Sequence, residues 1–274
     1  MYALGANTPS YIDLRSRSIE KPINSSELLE IAYEKQSQWN ERQKIKEKLG
    51  LNDEDNHHAF VLLKNVSRRL FMDWIHETHH GIRPSFVPTS KDLSMGKIVF
   101  NEVPCAAHEV ASGELMKFIV LELSHISCNL ENTIEQIPGK DVLWTTGRVK
   151  LPDGGLNTDL DSQYPNVVIE VAYSESMPQM REEVHNWILF TDHVQISIGI
   201  KIYKVNTKGQ RKMIILYEDR QGWTQEIEFG IEKTPQPLRI PIAVLYRAIP
   251  EDLQGIEFLD IQLVCLRNEI LREL

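Results

Sequence analysis

The sequence predicts a mixed α/β (α+β) fold with a mixed central sheet and helical additions at both ends, and three patterns carry that prediction. Residues 106–123 set Ala107, Ala111, Leu115, Phe118 and Leu121 on one side of a helix. The segment VQISIGIKIYKV alternates Ile with Ser197, Gly199, Lys201 and Tyr203, the period of a strand. Between it and the apolar run NVVIEVAY lies a helical stretch, PQMREEVHNWILF. A helix joining two strands is a crossover, so the two strands are expected to run parallel.

The remaining elements follow in order. Residues 1–24 show no periodicity and read as an irregular arm, whereas Ser25 and Ser26 offer N-caps to a helix that continues to Gly50. A polar break, NDEDNHH, precedes an apolar segment from Ala59 to about His80, closed by Gly81 and Pro84. Residues 1–95 are therefore expected to be a mainly helical region, and residues 96–274 the core with C-terminal strands and helix. DVLWTTGRVKL is extended, KMIILYED and GWTQEIEFG read as further strands, and NTKGQ is a hairpin turn. From about Glu251 the chain is expected to be helical to its end.

Composition narrows the functional classes. The chain has 274 residues, 39 acidic against 30 basic, a formal charge of -9, and 42% hydrophobic residues. Disorder, collagen-like repeats and a disulfide scaffold are excluded by these values. No run is long and apolar enough to span a membrane, and no signal peptide is evident, so an intracellular location is expected. Cys105, Cys128 and Cys265 read as buried thiols in a reducing compartment. An acidic chain would need a local basic strip to contact nucleic acid, and Lys201, Lys204, Lys208, Arg211 and Lys212 form one candidate. A solvated hairpin explains the same residues.

Glu170 is the most informative single residue. It interrupts Val167, Val168, Ile169 and Val171, a run expected to be a buried central strand, where a carboxylate is costly unless paired. Alternation puts Val168, Glu170 and Ala172 on one face. Asp153 follows Pro152 at the edge of another extended segment. Two carboxylates converging from neighbouring strands would hold a hard cation, Mg²⁺ or Mn²⁺, with water completing the shell. The alternative is a turn aspartate and a structural ion-pair partner.

Pro152 and Asp153, then Pro165, Val167, Val168, Glu170 and Val171, then Ser174, Glu175 and Ser176, resemble in their order the PD-(D/E)XK nuclease superfamily, more closely its restriction-endonuclease branch. The resemblance spans roughly residues 95–205 and implies a restriction-endonuclease-like α-β-β-β-α-β core. It also implies a divalent-metal-dependent nuclease that hydrolyses phosphodiester bonds of DNA or RNA, with Asp153 and Glu170 as catalytic metal ligands. The lysine that the family carries two residues after the strand glutamate is replaced here by Ala172. Lys201 and Arg181 are the candidates for a relocated cation, and Lys201 shares its face with the small residues Ser197 and Gly199, which would leave room at a site. Glu109 and Glu114 are the options for a carboxylate from the first core helix. Asp159 and Asp161 read as loop acids, though Asp161 could substitute for Asp153. Without a relocated cation the domain would be a degenerate binding module.

A second motif competes. His76, Glu77 and His80 form HExxH, which on a helix would place two imidazoles on one face for zinc. Thr78 and His79 stand where zinc helices carry apolar residues, and imidazoles at a helix C-terminus are favourable in any case. No phosphate-loop, dinucleotide or hydrolase-elbow signature occurs.

Overall fold

The computed structural model describes residues 60–77, 84–100, 106–137, 140–160, 162–173, 175–230 and 235–274, with scattered helical residues between 27 and 41. Two sheets organise these residues. The first contains β1 (Phe60–Ser67), β2 (Ser85–Pro88), β3 (Met95–Phe100), β5 (Val142–Leu143) and β6 (Val149–Lys150), in the order β1-β3-β2-β6-β5 and antiparallel throughout. The second contains β4 (Glu135–Gln136), β7 (Gly154–Asn157), β8 (Val167–Ala172), β9 (Ile196–Val205), β10 (Arg211–Asp219) and β11 (Thr224–Glu228), in the order β11-β10-β9-β8-β7-β4. A short pair, β12 (Leu238–Pro241) with β13 (Phe258–Ile261), completes the strands.

Helix α1 (Arg68–Glu77) covers the first sheet, with Phe71 and Trp74 buried among Leu62, Val66, Phe86 and Ile98. The region expected to be mainly helical thus carries strands β1 and β2 beside its helix. FVLLKNVS, the start of the apolar segment, is made a strand by its pairing with β3, with register shifts at two places. The HExxH motif falls mostly beyond what can be described: His76 and Glu77 end α1, and Thr78, His79 and His80 lie outside the described residues.

Helices α2 (Ala106–Ile126) and α3 (Met177–Phe190) sandwich the second sheet. On one face, Ala111, Leu115, Ile119 and Leu123 of α2 join Ile169, Val171, Ile198 and Ile200 in the main core. On the other face, Met180 and Val184 of α3 pack on Ala172, Ile214 and Leu216. Helix α3 starts at a capping box: the Ser176 hydroxyl accepts from the Gln179 backbone N–H, and the Gln179 side chain accepts from the Ser176 N–H. It crosses from β8 to β9, which pair in parallel with Glu170 opposite Gly199. The parallel pair and its crossover helix agree with the sequence prediction.

The small residues of β9 do not leave an opening. A Cβ at Gly199 would lie 2.7 Å from both Met180 Sδ and Val184 Cγ2, so α3 fills that space. Strand β9 is accordingly buried on both faces from Ile196 to Ile202. The C-terminal third also departs from the expected continuous helix. It holds a 3-10 turn at Glu251–Leu253, strand β13, and only then helix α5 (Leu263–Arg272), which follows the short helix α4 (Ile242–Leu245). The Gly255 left-handed turn (φ 84°) separates these pieces. Cys128 and Cys265 are exposed rather than buried, and Cys105 lies outside the described residues. Among the described residues no helix is long and apolar enough to cross a membrane.

Two glycine substitutions should behave oppositely in urea denaturation. Gly199→Ala forces α3 off the sheet and is expected to cost about 1–3 kcal/mol. Gly113→Ala, in the interior of α2 where a Cβ meets nothing within 4 Å, is expected to stabilise by about 0.5–1 kcal/mol.

Candidate metal centre at the junction of two sheets

The chain leaves the first sheet at Lys150 and enters the second at Gly154, and the candidate site lies on that crossing. Strand β7 pairs antiparallel with β8, Gly154 opposite Ile169. Continuing that register by one residue sets Asp153 opposite Glu170. Both residues are buried, Asp153 at 7% and Glu170 at 6% exposure, and the Asp153 charge acts on Glu170.

Each carboxylate is held by groups from several elements. Asp153 Oδ2 accepts the Val171 backbone N–H at 2.7 Å and lies 3.0 Å from His108 Nε2. His108 comes from the first turn of α2 and is itself buried. Glu170 Oε1 accepts the Trp187 indole N–H at 2.7 Å, and Lys150 Nζ stands 3.0 Å from the same oxygen. Lys150 also donates to Glu183 Oε1 at 2.6 Å, and Arg148 Nη1 lies 3.7 Å from Glu183 Oε2. Thus β6 supplies the cation, the bend before β7 and strand β8 the acids, and α3 the glutamate and indole that brace them.

The electrostatics follow from too few cations for the acids present. Burial is the largest influence on Glu170; Lys150 opposes it, but the Asp153 and Glu183 charges add to it, and the carboxyl is pushed up to about 8. Burial alone would lower Lys150, yet Glu170 and Glu183 outweigh it and hold the ammonium above its ordinary range. Glu183, also buried, is held below the usual carboxylate range by Lys150 and Arg148. Lys150 and Glu183 form the tighter ion pair, and Glu170 retains its proton most readily.

The other sequence candidates occupy varied places. Lys201 is buried and pairs in register with Ala172; its ammonium donates to the Tyr173 carbonyl at 2.9 Å and lies 5.1 Å from the centre of the Tyr203 ring. Arg181 makes an exposed ion pair with Glu226 at 2.7 Å. Glu109 is half-exposed, 3.8 Å from His108 Nδ1, and Glu114 pairs with Lys117. It is His108, the neighbour of Glu109, that reaches Asp153. Asp161 and Ser174 lie outside the described residues, and Asp159 faces Arg247 at 3.8 Å. In the basic strip, Arg211 donates to Tyr173 Oη and the Tyr203 carbonyl, Lys212 pairs with Glu228, and Lys204 and Lys208 are exposed.

Lys150, Glu183, Trp187 and His108 escaped the sequence reading. A signal existed for two of them: Glu183 and Trp187 are four apart on the helix face that includes Met180, and an acid on an apolar face invites a buried partner. Lys150 carried no such mark, since its partners come from a different sheet.

Two carboxylates with water would suffice for Mg²⁺ or Mn²⁺, so the donor set fits a hard divalent ion. Among the described residues no group of three or more His, Cys, Asp or Glu side chains is arranged to hold a metal. No protein-family model matches the chain, and no curated protein matches it either.

Trp187→Phe leaves a smaller aromatic ring at a fully buried site and removes the donor to Glu170, and is expected to cost about 1–3 kcal/mol by chemical denaturation. In chelator, Glu170 binds its proton more tightly in the folded chain than at its ordinary value of 4.5. Its contribution to stability is therefore full below that value and is lost as pH rises toward about 8. Melting curves across that window should show a decline that Glu170→Gln flattens.

Proposed function

We propose that the chain is a divalent-metal-dependent nuclease, with a restriction-endonuclease-like core and with Asp153 and Glu170 as ligands for Mg²⁺ or Mn²⁺. One observation carries this reading: Lys150 of the first sheet meets Glu170 of the second 3.0 Å away in a buried place, and the charge of the equally buried Asp153 acts on the same glutamate. Buried ion clusters rarely repay their desolvation in stability, so their presence points to chemistry. Within the second sheet the chain order is helix α2, β4, β7, β8, helix α3 and β9, which supports the core that the resemblance implies.

Each side chain has a definite task under this reading. Asp153, oriented by the Val171 N–H and His108, and Glu170, oriented by Trp187, would present oxygens to the ion. A bound divalent ion would polarise the phosphodiester and acidify a water. Lys150 offsets negative charge on the phosphate, the task assigned to the lysine missing at Ala172. Lys204 and Lys208, exposed beside the hairpin turn between β9 and β10, would contact the nucleic-acid backbone.

A noncatalytic module is the second reading, and a specific observation favours it. The donors to the Asp153 and Glu170 oxygens named above all come from inside the protein, so the acids are already satisfied. The proximity of Lys150, which restores the cation absent at Ala172, tips the balance to the enzyme.

The test is degradation of double-stranded DNA, single-stranded DNA and RNA by the purified chain with Mg²⁺ or Mn²⁺ and with chelator. Cleavage should require the ion, and Asp153→Asn and Glu170→Gln should each reduce it by about a hundredfold or more while circular dichroism stays native. Cleavage that survives Glu170→Gln, or no cleavage of any substrate with either ion, would sink the enzyme reading.

A further inference from the structure

Lys150 sits where an added cation would meet the acids. Its ammonium lies 3.0 Å from Glu170 and 2.6 Å from Glu183, and the ring of Trp187 is 5.5 Å away. The side chain is 9% exposed, so water contributes little to its solvation. Arg148 Nη1 lies 3.7 Å from the second oxygen of Glu183. Glu183 therefore offers Lys150 a partner that does not depend on Glu170.

We infer that Lys150 is a resident counter-cation of Glu170, which a divalent ion binding at Glu170 must displace, leaving Lys150 on Glu183 alone. The inference rests on the metal-binding reading above and adds a control on it. Two positive centres cannot share one carboxylate oxygen in a buried site without strong repulsion, because the screening that water supplies is missing. Lys150 thus keeps the acids compatible with burial when no ion is present and sets a threshold for ion uptake. Because the ammonium stays beside the site on Glu183, it remains within reach of a phosphate. Lys150 on β6 and Glu170 on β8 belong to different sheets, so this control exists only where the sheets are docked.

Titration calorimetry with Mn²⁺ on the chelator-stripped full chain tests the inference without reference to cleavage. The variants are wild type, Lys150→Gln and Glu170→Gln. Lys150→Gln keeps a hydrogen-bond donor and removes the charge, so it should bind Mn²⁺ about tenfold tighter or more than wild type. Its Mn²⁺-induced rise in melting temperature should also be larger. Glu170→Gln should lose the site. If Lys150→Gln binds no more tightly than wild type while binding still needs Glu170, the counter-cation idea is overturned and the metal site stands. If neither wild type nor Lys150→Gln binds Mn²⁺, the metal reading itself fails and this inference with it. Should Lys150→Gln not fold, the wild-type chain decides: the Lys150 Nζ–Cε NMR cross-peak, assigned with Lys150→Arg, should shift on Mg²⁺ addition. A cross-peak that does not move overturns the inference.

Discussion

The buried ion cluster of Lys150, Glu170 and Glu183 is the constraint around which the rest of the described structure is arranged. A single ammonium from the first sheet meets one carboxylate from the second sheet and another from the helix that covers it. Removing Lys150 or Glu183 leaves the other charged in a place that water barely reaches, so this pair holds the first sheet and α3 in register. Aromatic packing closes the same junction: Trp144, just after β5, meets Trp187 edge-on at 5.2 Å and stacks on Phe190 at 5.8 Å. Arg148 lies over the Trp144 ring at 4.6 Å, which joins the apolar seam to the charged one.

That arrangement explains why α3 carries more than core residues. Its Met180 and Val184 fill the space over Gly199, which brings the helix close to the sheet. Close approach is what allows Trp187 to reach Glu170 and Glu183 to reach Lys150. A bulkier residue at position 199 would move the helix and with it both partners. The helix N-cap at Ser176 fixes where this begins, six residues after Glu170 in the chain. Packing and chemistry are thus set by the same few positions.

The acids were legible in the sequence because their setting was anomalous. Glu170 stood out as one charge in an apolar strand, and Asp153 through the turn that precedes the next strand. The parallel pairing of β8 and β9 was legible for the same local reason, since a crossover helix separates them. Lys150 was not, because a lysine in a short strand carries no hint of what lies across from it until the sheets pack. The strand nature of β1 and β13 was likewise hidden, since a short apolar run has the same composition in a buried helix and a buried strand.

The sequence by itself determined the β8–α3–β9 crossover, the face on which Glu170 points and the absence of a lysine at position 172. These depend on periodicity and on residue identity, which are local. Tertiary structure decided which cation answers that glutamate, that His108 rather than Glu109 reaches Asp153, and that α3 closes the space beside Gly199. Those outcomes depend on contacts between residues far apart in the chain, where burial raises the strength of each charge interaction and proximity alone selects the partner.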